Sequence, residues 1–130
     1  MKRMRTGAAA AVLVAATLPA FTAGVAHAGD GEVERRGNCS GSADWKLKAK
    51  PDDGGLEVEG EVDSNRNGQK WRWVLRRNGK VVDRGTGTTR APSGSFSVER
   101  HTKNAKGSDT FRFRAVHRAS GQVCAGRVTI

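Results

Sequence analysis

Tyrosine is absent from the 130 residues, and histidine, proline and cysteine are scarce, at three, three and two. Each shortage removes chemistry. Two cysteines without C-x-x-C spacing give neither a zinc knuckle nor a dithiol redox centre a framework. Of the histidines, only His101 and His117 lie beyond the apolar N-terminal stretch, both at loop or strand ends, with Asp109 alone placed to orient His101 across a polar turn. Ser40, Ser42, Ser93, Ser95 and Ser97 lack a nucleophile elbow, and Gly85-Thr86-Gly87 is too short for a phosphate loop. After Ala28 there is no helical periodicity, internal repeat or low-complexity tract. The expectation is a protein without catalysis, cofactor or resident metal.

What is present begins with an export signal. Met1-Lys2-Arg3-Met4-Arg5 is basic, the stretch 8–26 is small and apolar, and Ala26-His27-Ala28 has the small-x-small pattern of a cleavage site. A retained membrane helix would want about 20 strongly apolar residues; this stretch is alanine-dominated and contains Pro19. No cysteine near the site offers a lipid anchor. Cleavage after Ala28 is therefore expected, giving a secreted, monomeric chain with no membrane span. Residues 29–41 are polar and do not alternate, so they read as a flexible leader before a domain over 42–130. Losing Lys2, Arg3 and Arg5 lowers the 23 basic residues to 20 against 13 acidic ones, a net charge of +7. Such a balance favours anionic partners, or simply keeps an exported domain soluble. Two cysteines in an exported domain most simply form one disulfide, so Cys39 and Cys124 would close a loop of 85 residues; a reactive thiol or metal ligand is the alternative.

The rest of the chain alternates with period two. Gln69 to Val82 is the central stretch, two alternating runs around Asn78-Gly79, a pair suited to a type I′ turn. That turn sets Arg77 against Lys80, Leu75 against Val82 and Trp73 against Arg84, and puts Asp83 opposite Val74. Trp71, Trp73 and Leu75 then share the core face. Trp45–Lys50 and Leu56–Val62 form another hairpin, with Trp45, Leu47, Ala49, Leu56, Val58 and Val62 inward. Lys46, Lys48 and Lys50 lie opposite Glu57, Glu59 and Glu61 on its other side, which fixes the register and cancels the charge. Further runs occur at 95–100, 110–116 and 123–130. Asp63-Ser64-Asn65-Arg66-Asn67-Gly68 matches the first half of a calcium loop, but Val74 stands where the bidentate Glu belongs, so a plain Asn/Gly loop is the alternative.

About seven short strands with turn signals every 8–12 residues predict an all-β, antiparallel two-sheet sandwich. Trp71 and Trp73 on a third strand followed by a hairpin, and Phe111-x-Phe113-x-Ala115 before a Gly-containing turn, resemble immunoglobulin-like or fibronectin type III domains. More narrowly, Cys39–Lys48 (CSGSADWKLK), Asn65–Trp71 and the RAPSGSF run over 90–96 are similar to a family of small secreted actinobacterial proteins of unknown function, a likeness spanning Cys39 to Ile130. It implies no activity. In such a sandwich the segments 70–77, 110–116 and 123–130 are sheet neighbours, which gathers Arg72, Arg76, Arg112, Arg114 and Arg127 on one surface. Arginine forks suit phosphate and carboxylate, so an anionic cell-surface or extracellular polymer could lie there. With no exposed aromatic expected among them, single-stranded nucleic acid is disfavoured. A solvated face is the bland reading. The alternative function is a protein–protein module or inhibitor acting through the loops 64–69, 86–94 and 102–109.

Overall fold

Period-two alternation becomes strand throughout the computed structural model, which describes residues 26–28, 31–103 and 106–130. Apart from Ala26–Ala28, the expected signal peptide lies outside the described residues. The strands are β1 (Ala26–Ala28), β2 (Glu32–Asn38), β3 (Asp44–Asp52), β4 (Gly55–Asp63), β5 (Lys70–Arg77), β6 (Lys80–Thr88), β7 (Ser95–Lys103), β8 (Thr110–His117) and β9 (Gln122–Thr129). They form two antiparallel sheets, β1-β2-β3-β4-β7 and β6-β5-β8-β9, packed as a sandwich. From β3 onward the chain makes one hairpin in the first sheet (β3–β4), crosses to the second for β5–β6, returns for β7 and crosses again for β8–β9. None of the described residues forms a helix long and apolar enough to cross a membrane.

The core is the inward set of both sheets. Leu47, Val58, Val62, Trp71, Phe111, Ala115 and Cys124 are wholly or almost wholly shielded, and Trp73, Leu75, Phe113 and Val128 nearly so. The Asn78-Gly79 turn forms as expected, with φ of 49° and 82°. Asn78 does more than tolerate positive φ: its side-chain oxygen accepts from Thr110 N at 2.8 Å, and its backbone N–H donates to Thr110 O at 2.8 Å.

Two expectations are corrected. The flexible leader over 29–41 contains a paired strand, because β2 lies along β3 from Val33–Ala49 to Asn38–Asp44 and buries Val33. In addition, the β5–β6 register slips by one residue at a bulge between Leu75 and Arg76. Arg77 does face Lys80, but Leu75 faces Asp83, Val74 faces Arg84 and Trp73 faces Gly85. A strict ladder would set Arg84 beneath Trp73 and Thr86 beneath Trp71. The bulge substitutes Gly85 and Gly87, whose missing side chains are needed. A Cβ on Gly85 would stand 3.0 Å from the Trp73 indole, and one on Gly87 2.3 Å from the Phe96 ring.

The slip also reassigns a cation. Arg100 from β7, not Arg84, lies over Trp73, 5.1 Å from the ring centroid. Its Nε donates to Asp83 Oδ2 at 2.8 Å, joining the two sheets at the β6/β7 side. The Arg100 hydrogen bond, then the Arg84 backbone N–H, hold the Asp83 carboxyl below its ordinary value of 3.8. A depressed folded-state pKa gives a contribution that is complete above the unfolded value and disappears as pH falls through the folded one. In thermal melts, the stability gap between wild type and D83N should thus be constant from pH 7 to 5 and shrink between pH 4 and 2. A gap that widens toward acid contradicts the pairing.

Candidate anion-binding face

The outer face of the second sheet is built by the alternate residues of four strands. Its cross-strand rows are Val81–Arg76–Arg112–Arg127, Arg84–Val74–Arg114–Ala125 and Thr86–Arg72–Val116–Val123. All five arginines expected here are gathered, and the bulge adds Arg84 while turning Asp83 away to Arg100. Arg76 is half-buried and the other five are exposed. None of the six joins an ion pair among the described residues. Arg76, Arg112 and Arg127 stand directly opposite one another on adjacent strands. Facing side chains on such strands are about 5 Å apart at Cβ, and like charges so placed repel.

The opposite face is neutralised. Lys46, Lys48 and Lys50 stand against Glu61, Glu59 and Glu57 as expected. Lys46 reaches Glu61 at 3.4 Å and Glu59 at 3.7 Å, Lys48 reaches Glu32 at 3.5 Å, and Lys50 reaches Glu57 at 3.8 Å. For Lys48, burial pulls the ammonium pKa down, but Glu59, Glu32 and Glu34 outweigh it and leave the pKa raised.

The histidines separate onto different sheets. His101 on β7 has Nδ1 3.3 Å from Asp52 and Nε2 3.6 Å from Glu99. Asp109, its expected partner, instead accepts from Arg77 Nε at 2.9 Å. His117 at the end of β8 stacks on Trp71, with centroids 5.2 Å apart, and its Nδ1 meets Ser120 Oγ at 2.7 Å. Donor atoms of Asp52, Glu57 and His101 lie within 4.8 Å of one another, a spacing a cation could bridge, although Lys50 already sits on Glu57. In the calcium-like loop, Asp63 Oδ1 accepts from Asn65 N at 3.0 Å, and Arg66 O accepts from Thr89 Oγ1 at 2.6 Å. The first closes the loop on itself and the second ties it to the start of the 89–95 segment.

No family model, curated protein or solved structure matches the chain. The face is therefore read from its own chemistry. Sequence reasoning missed three contributors: Arg84, hidden by the bulge; Arg35, on the strand taken for a leader; and Trp45, assigned inward but half-buried at the β2/β9 edge. The alternating Gly85 and Gly87 were the available signal for the first, since glycines two apart opposite two tryptophans mark the inward side.

Proposed function

We propose that the chain is an exported, non-catalytic β-sandwich of the small actinobacterial kind its sequence resembles, and that it binds an anionic cell-surface or extracellular polymer on its arginine face. The observation that carries this is the Arg76–Arg112–Arg127 row, three facing cations with no carboxylate in the same face. Such a row costs stability through repulsion; an anion lying across it removes that cost and gains charge-assisted hydrogen bonds from the guanidinium forks. The disulfide between Cys39 and Cys124 supports an oxidising, extracellular setting.

Binding of the protein to isolated wall material, followed by co-sedimentation, tests the reading. Affinity should fall steeply between 0.05 and 0.5 M salt as the screening length shrinks from more than about 10 Å to under about 5 Å. The R72E/R76E/R112E/R114E variant should bind at least about tenfold more weakly, a loss of about 1.4 kcal/mol or more. Binding that ignores salt and survives the variant refutes the face. It would favour contact through the loops, where the Ser64 and Thr89 hydrogen bonds hold the 64–69 and 89–95 segments together.

A further inference from the structure

The arginine face does not stop at its own sheet. Where β9 meets β2 across the open side of the sandwich, a cleft of about 380 Å³ is lined by Arg35, Arg36, Trp45, Arg112, Gly126 and Arg127. Arg112 and Arg127 are two members of the facing row, so the cleft continues that row around the edge. Arg35 is exposed and joins no ion pair among the described residues, while Arg36 is bonded to Glu34 at 2.8 Å.

Trp45 is the unexpected member. It is the one tryptophan of the three that the core does not enclose: Trp71 is 0% and Trp73 4% exposed, whereas Trp45 is only partly buried. Its indole rests on two glycine backbones. A Cβ on Gly37 would stand 2.7 Å from the ring, and one on Gly126 2.3 Å. Bare backbone at both positions lets a large ring lie at the edge without being swallowed. Trp45 Nε1 makes no hydrogen bond to the described residues, and it is not among their buried unpaired atoms. An apolar ring beside a donor N–H, flanked by guanidinium groups, matches a sugar unit that carries an acid. Ring C–H groups meet the negative aromatic face, the N–H meets a hydroxyl, and arginine takes the carboxylate or phosphate.

We infer that the β2/β9 cleft is a sugar-ring subsite centred on Trp45, so that the polymer taken by the arginine face is an anionic polysaccharide running across the strands into this edge. This rests on the anionic-polymer reading and narrows it. A single edge indole does not provide the succession of exposed aromatics on which nucleic-acid bases stack, which is why a glycan is favoured over a single strand of DNA.

Acrylamide quenching of the wild-type protein reports on this indole, because the core shields the other two. Alginate, with one ring and one carboxylate per unit, should protect Trp45 from quenching, and long-chain polyphosphate, which has charge but no ring, should bind without protecting it. W45L should weaken alginate binding on the order of tenfold, as loss of a stacking aromatic does, and leave polyphosphate binding within about twofold. W45F, which keeps a ring on Gly37 and Gly126, should fall between and covers the case in which W45L does not fold. Equal protection by both polyanions, or protection by oligo-dT alone, overturns the subsite while the arginine face stands. Binding of neither alginate nor polyphosphate at low salt overturns the face and the subsite together.

Discussion

Replacing both Cys39 and Cys124 by serine is expected to lower stability by about 3–4.5 kcal/mol and the melting temperature by roughly 15–25 °C. The upper figure comes from the loop of 85 residues that the bond closes, since the entropy taken from the unfolded chain grows with loop length. The structure adds why the bond sits where it does. The two sheets meet along two open sides. The β6/β7 side is held by Arg100 and Asp83, a pair that is about 40% exposed and so weak. On the other side, Cys39 follows β2 and Cys124 lies on β9, so the bond joins one sheet to the other.

Hydrogen bonds reinforce the same corner. Ser40 N donates to Val123 O, Val123 N to Ser40 Oγ and Ala43 N to Gln122 Oε1, each at 2.8 Å. They hold the local geometry after the bond is gone, so the double serine variant should still fold, with an unchanged far-ultraviolet spectrum. Urea denaturation of the oxidised and serine forms measures the difference. A loss below about 1 kcal/mol would mean that the unfolded chain already keeps its two ends close without the bond, and the chain-entropy account would fail.

How far the sequence revealed this molecule depends on what each residue must satisfy. Alternation located β3, β4, β5, β7, β8 and β9, because both sheets bury one face and period two is then obligatory. It could not locate β2, where a strand with one neighbour along most of its length buries only Val33 and tolerates Glu34, Arg35 and Arg36 in succession. The register of β6 was likewise beyond simple alternation. Its bulge answers a steric demand from Trp73 and Phe96, which lie on other strands, and only the glycine spacing hints at it. Five arginines of the site were legible, since they alternate with core residues on well-patterned strands. Arg84, Arg35 and Trp45 were not, because each depends on an edge or an irregularity in place of a repeat.

Asp109 is the remaining position where one substitution should be costly. It is 3% exposed, and its carboxylate accepts from Arg77 Nε at 2.9 Å and from Asn78 Nδ2 at 3.2 Å. Its backbone exchanges hydrogen bonds with Ile130 at 2.8 and 2.9 Å. One residue therefore ties the β5–β6 turn, the start of β8 and the end of β9. Arg77 is constrained in turn, lying 5.7 Å over Phe111 and donating to Lys103 O. D109A leaves that guanidinium and the Asn78 amide facing an apolar methyl. Breaking a buried pair from one side costs about 3–5 kcal/mol, and the 18% exposure of the Arg77 side chain argues for the low end, about 3 kcal/mol. R77M should cost a similar amount, because it strands a carboxylate that is more deeply enclosed than its partner. The R77M/D109A double variant removes both charges, so its loss should be smaller than the sum of the single losses by at least about 1 kcal/mol. Urea midpoints of the four proteins complete the cycle. Strict additivity would mean that water, not Arg77, satisfies Asp109, and the pair would hold nothing together.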